Sequence, residues 1–217
     1  MEPATRTRQR RKETRPQELL DAALELFVEK GFAAARSEEV AQRAGVSKGT
    51  LYLYYPSKEE LFKAVVRHNL TSLIASGLEL AERHHGTATE LLVELMTTWL
   101  EHMIDSPAAG IHKVIIAEAR NFPELAQFYA DEVITPANQL FATTLARGVA
   151  SGEFRDVPLR EASMALIAPM LFLCLHRHSF GACPVRSVEL DPHTVLRAQI
   201  DVILHGLVRH PPAKKRA

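Results

Sequence analysis

The chain has 217 residues, 47% of them apolar and 24% charged, with 26 basic and 26 acidic side chains. That composition builds a full hydrophobic core in one or two domains and excludes a largely disordered chain, while the balanced charge says nothing by itself about a nucleic-acid partner. Two cysteines, Cys174 and Cys183, exclude a disulfide framework and point to the reducing cytoplasm, and no apolar run reaches the ~18 residues of a membrane span.

Residues 1–15 carry Arg6, Arg8, Arg10, Arg11, Lys12 and Arg15 against Glu2 and Glu13, about +4 on a short stretch without apolar periodicity. The expectation is a mobile basic arm whose arginines order on DNA, at phosphates or in a minor groove; the bland alternative is a solvated tail. It runs into Pro16-Gln17-Glu18 rather than an apolar stretch, so it is not read as a signal peptide. From Pro16, at a tolerated first-turn position, Leu19, Leu20, Ala23, Leu24, Phe27 and Val28 recur at helical spacing until Gly31.

Ser37 to Ala44 reads as a short helix with Ser37 as N-cap, two acids in its first turn and Gly45 as a left-handed stop. Ser47 caps a second short helix, Lys48 to Tyr54, which Pro56 ends. Helix, tight turn and helix make a helix-turn-helix candidate. Ser47, Lys48, Thr50, Tyr52 and Tyr54 put hydroxyls and an ammonium at the start and along one side of the second helix, Gly49 permits close backbone approach, and Leu51 and Tyr55 can face inward. A helix entering a major groove needs that pattern; a helical hairpin whose tyrosines only pack is the competing reading.

The stretch GVSKGTLYLYYPSKEEL, Gly45 to Leu61, resembles the DNA-binding domain of TetR/AcrR-family transcriptional repressors. Gly45, Val46, Gly49, Leu51, Tyr52, Lys58 and Leu61 stand where the family pattern has them, and the resemblance extends back to Leu19. It implies DNA contacts from Lys48, Thr50 and Tyr52 foremost. Ser37, Ser47, Gly49, Tyr54 and Lys58 are implied phosphate or close-approach positions, and Arg8, Arg10 and Arg11 add sequence-independent attraction. Leu53 departs from the family, which often has a tyrosine or another polar residue there; a thymine methyl is the contact left to it.

Beyond the motif, Ser57-Lys58-Glu59-Glu60 reads as a capping box opening a long helix to about Arg83, a candidate transmission element, with Lys58 placed to clamp a phosphate. Thr87 to Glu90 is a second capping box, before Leu91, Leu92, Leu95, Met96, Trp99, Leu100 and Met103. Ile111 to Arg120 forms a short helix; another opens at Pro123 and is kinked or divided at Pro136 before ending at Ser151-Gly152. Pro158 to His178 and Pro192 to His210 are two apolar helices, the second capped by Asp191. The first is apolar almost all round, as burial on more than one side requires, and both suit a four-helix dimer interface.

The expected fold is therefore all-α, an N-terminal three-helix helix-turn-helix domain joined to a larger helical ligand-binding and dimerisation domain: 1–15 arm, 16–60 DNA binding, 61–210 ligand binding and dimerisation, 211–217 tail. Trp99, His102, Met103, Phe122, Phe128, Tyr129, Phe141, Met170 and His176 are candidates to line an apolar cavity for a small apolar or aromatic effector, against ordinary core packing for each alone. Ten histidines invite a metal reading, yet none shows zinc-ligand spacing, and no nucleophile elbow, phosphate loop or dinucleotide fingerprint occurs. The expectation is no enzyme, no metal and no cofactor, with a double-stranded DNA operator, a second copy of the chain and a small effector as partners. A protein of the same fold without specific DNA recognition, binding a ligand or sensing a metal, is the alternative.

Overall fold

The structure, a computed structural model, describes residues 4–104, 106–183 and 190–208. In chain order its helices are α1 (Ala4–Lys30), α2 (Ser37–Arg43), α3 (Lys48–Tyr54), α4 (Lys58–Val66), α5 (Ser72–Arg83), α6 (Ala88–Met103), α7 (Gly110–Glu118), α8 (Pro123–Tyr129), α9 (Thr135–Ser151), α10 (Leu159–Arg177) and α11 (Pro192–Leu207). A π-turn, Arg67–Thr71, joins α4 to α5, and another, Ala130–Ile134, joins α8 to α9. The one β pairing among the described residues is an isolated bridge between Phe154 and Val208. The fold is all-α, as expected. The helices form two compact units, one of the residues through Ser72 with Pro107–Glu132, the other of Leu73–Ser106 with the residues from Val133 on.

In the first unit, α1 lies among α2, α4 and α7, which explains why it is buried beyond a single stripe: Leu19, Ala22, Ala23, Leu24, Leu26 and Phe27 are all inside. The segment expected as a mobile arm is helical from Ala4, and Pro16 sits within α1 rather than at its start. The Arg, Gln, Lys and Glu residues of that stretch are strong helix formers, so helix propensity extends the element where apolar periodicity stops. Phe27, Phe32 and Phe62 form a mutual aromatic cluster with centroids 5.3 to 5.6 Å apart, and Phe122 adds an edge contact to Phe32 at 4.8 Å.

The second unit is built on α6, α9, α10 and α11 around Leu91, Leu92, Met96, Leu100, Phe141, Leu145 and Phe154. The Thr87–Glu90 box forms as expected, Thr87 Oγ1 accepting the Glu90 N–H at 3.1 Å and Glu90 accepting the Thr87 N–H at 2.8 Å. Asp191 caps α11 through the N–H groups of His193 and Thr194. Helix α10 is long and apolar enough to cross a membrane by length and composition alone. It nevertheless inserts Leu166, Met170, Leu173 and Cys174 into this core, and desolvation there pushes the Cys174 thiol up to about 12. Met164 and Phe172 are half exposed on α10, and Val202 is 71% exposed on α11.

Candidate DNA interface

The turn between α2 and α3 is set by Gly45, whose φ of +66° lies in the left-handed region. Its N–H returns to the Gln42 carbonyl at 3.1 Å and the Val46 N–H to the Ala41 carbonyl at 2.9 Å, the paired bonds that close a helix in a Schellman motif. Ser47 then caps α3, its Oγ accepting the Thr50 N–H at 3.1 Å and sharing a hydrogen bond with Thr50 Oγ1 at 2.9 Å. Leu51 is buried and anchors α3. Tyr55 donates its hydroxyl to the Pro16 carbonyl at 3.4 Å, and burial pushes its phenol pKa up.

The opposite side of α3 is open. Lys48, Gly49, Tyr52 and Leu53 are exposed together, Leu53 to 84%, and the Lys48 ammonium stands 5.6 Å from the Tyr52 ring centroid. Among the described residues a Cβ on Gly49 would meet nothing nearer than Ser47 Oγ at 3.8 Å, so no contact with them requires a glycine there. Lys48 is paired with Glu38 of α2, a hydrogen bond that lowers the Glu38 pKa and raises that of Lys48. DNA that takes the ammonium must compete with that carboxylate. Tyr54 and Thr50 are half-buried and Ser47 is exposed.

Two expected contacts are placed differently. Ser37 is not the N-cap of α2 but its first residue, 7% exposed; Arg36 holds the cap position because Glu39 reaches back to the Arg36 N–H at 3.4 Å. Lys58 turns inward, donating to the carbonyls of Phe32, Ala33 and Ala35 at 2.8, 3.3 and 3.2 Å, with its ammonium 4.5 Å from the Phe32 centroid. An ammonium has three donors, and these three carbonyls absorb them, so Lys58 braces the α1–α2 turn rather than offering a phosphate clamp. The box expected at Ser57–Glu60 is half formed: Ser57 accepts the Glu60 N–H, while Glu60 pairs with Lys63 at 2.8 Å. The side chains of Arg8, Arg10 and Arg11 lie outside the described residues.

The nine residues expected around an apolar cavity are divided between the units. Phe122 belongs to the phenylalanine cluster, Phe128 lies beneath Lys63 and Arg67, and Tyr129 hydrogen-bonds His112 at 2.5 Å, all in the first unit. Trp99, Phe141 and Met170 meet in the core of the second. Met103 is buried in the same unit, His102 bonds its own helix at Thr98, and His176 is buried between Phe172 and Phe180. Among the described residues no group of three or more His, Cys, Asp or Glu side chains could hold a metal ion.

Residues 19–65 match the family model of bacterial regulatory proteins of the tetR family, and residues 83–188 match the tetracyclin repressor-like C-terminal domain. The chain belongs to the TetR family. It is thus a DNA-binding transcriptional regulator in a family of regulators, not of enzymes. This TetR-family chain is 26% identical over 197 residues to the HTH-type transcriptional repressor KstR2 of Rhodococcus jostii (strain RHA1), covering 90% of this chain and 92% of that protein. It is 41% identical over 88 residues to the HTH-type transcriptional activator FasR of Mycolicibacterium smegmatis, 39% of this chain and 40% of FasR. The crystal structure of FadR from Bacillus subtilis in complex with stearoyl-CoA superposes with a TM-score of 0.70 at 19% identity, over 88% of this chain and 98% of that one, a likeness of fold.

Proposed function

We propose that this TetR-family protein is a cytoplasmic repressor that binds a pseudo-palindromic operator as a dimer and is released by an apolar effector. The observation that carries the reading is the open face of α3. Lys48 and Tyr52 present a cation and a phenol there, and Gly49 leaves a gap that no described residue fills more closely than Ser47, suited to close approach by a DNA backbone. Half-exposed Met164 and Phe172 on α10 and Val202 on α11 support a two-fold apolar interface that spaces two recognition helices. We assign operator reading to residues up to about 60 and effector binding and dimerisation to the helices beyond, with Trp99, Phe141 and Met170 as apolar walls. The stearoyl-CoA complex of the fold neighbour makes a long acyl chain the first effector to test. Effector and operator then oppose one another reciprocally.

Footprinting the purified protein on the DNA flanking its own gene, across a salt series, tests this reading. Protection of a palindromic site by wild type and its loss in Lys48→Ala, Tyr52→Ala is the expected result. Weak binding shared by both proteins and abolished by salt would leave only non-specific attraction and overturn operator recognition. The KstR2 and FasR resemblances differ in the sign of regulation, which a reporter downstream of the protected site decides.

A further inference from the structure

Five of the six residues between α1 and α2, Gly31 to Ala35, are gripped from two sides by residues distant in sequence. Lys58, at the start of α4, gathers the carbonyls of Phe32, Ala33 and Ala35. From the other side, Glu118 Oε1 accepts the Ala33 N–H at 2.9 Å, across 85 positions of sequence, and would lie 3.5 Å from a Cβ on Gly31. Its second oxygen accepts from Asn121 Nδ2 at 3.2 Å. Four residues on, Phe122 sets its ring edge-on against Phe32. The turn is thus held by a cation on its carbonyls and an anion on its N–H.

Glu118 is the last residue of α7, where the helix dipole disfavours a carboxylate. Its place there is offset by the bond to Ala33. What it holds leads directly to the DNA face: Ala35 is buried beneath the turn, Arg36 caps α2, and α2 packs on α3, which carries Lys48, Gly49 and Tyr52. A shift of the turn therefore moves α2 and α3 as a pair.

We propose that Glu118 is a positioning residue for DNA binding, setting the seat of the helix-turn-helix from a helix outside it. The proposal rests on the reading that α3 contacts DNA. In the chain α7 follows α6, the helix that carries the proposed effector wall Trp99.

The test compares Glu118→Ala with Glu118→Gln, whose amide oxygen retains an acceptor, in the full-length protein. Amide hydrogen exchange of residues 31–44 is expected to quicken at least ~5-fold in Glu118→Ala and to stay near wild type in Glu118→Gln. Operator affinity in Glu118→Ala is expected to fall ~10-fold with an unchanged salt slope, since no phosphate contact is removed, and to be largely retained in Glu118→Gln. Unchanged exchange, unchanged affinity, a reduced slope or equal loss in both variants overturns the proposal. If wild type itself protects no DNA, the regulator reading fails instead, and exchange alone decides whether Glu118 seats the turn.

Discussion

A glycine inside a seven-residue helix is a local weakness, and no neighbour of Gly49 among the described residues explains it. Gly49→Ala is expected to raise folding stability by about 0.5–1 kcal/mol in a urea titration and yet to weaken operator binding ~10-fold or more, because the added methyl occupies the gap meant for DNA. If Gly49→Ala binds as wild type does, the close approach is absent. Lys58 separates folding from binding in the opposite way. Lys58→Ala strips an ammonium from three carbonyls and from the Phe32 face, and is expected to cost about 1.5–3 kcal/mol while leaving the salt slope of the folded protein unchanged. Lys48→Ala, by contrast, is expected to lower that slope by about one, with folding left nearly intact. A reversed outcome for the two lysines would restore Lys58 as the phosphate contact.

At the scale of helices, caps decide where elements begin. The N-terminus of α6 is satisfied twice, by the Thr87–Glu90 box and by Glu153, which accepts the N–H groups of Ala88 and Thr89 at 3.0 and 3.1 Å. Burial alone would raise the Glu153 pKa, but these bonds outweigh it and leave it below its ordinary 4.5. A carboxylate lowered by folding stabilises fully above its unfolded value and loses that contribution as the pH falls through the folded one. Glu153→Ala should therefore cost about 1 kcal/mol near neutral pH, a difference from wild type that shrinks below about pH 4 in thermal melts.

Such caps are readable in a sequence because donor and acceptor lie three residues apart: Ser47, Thr87 and Asp191 each cap the helix their spacing indicates. The Ser37 register is harder, since Arg36-Ser37-Glu38-Glu39 offers two starts and the bond from Glu39 selects the earlier. The π-turn at Arg67–Thr71 carries no local signature at all. Arg67 there grips Glu132 with Nε at 2.8 and 3.1 Å and Nη2 at 2.5 Å, and a partner 65 positions away cannot be found by periodicity. The inward turn of Lys58 is hidden in the sequence for the same reason, its carbonyl partners being assembled only when the α1–α2 turn folds over it.

For the molecule as a whole, the apolar character of α10 on every side is visible in sequence, but only the structure shows which side remains uncovered. Val202→Glu places a charge on the exposed side of α11, in the same unit. It is expected to shift the protein toward monomer in sedimentation, with little change in the helical signal, and to lower operator affinity by at least ~10-fold through loss of the second half-site. A dimer that survives the charge would move the interface elsewhere. The first unit has a different consequence. Its core borrows Ile111, Val114, Ile115 and Phe122 from a segment the chain supplies only after α6. A contiguous N-terminal fragment ending at α4 would leave the flank of α1 bare. The reading head is consequently not a contiguous cassette: a chimera that grafts it onto another regulator's body is expected to need residues 107–132 with it to keep the flank of α1 covered.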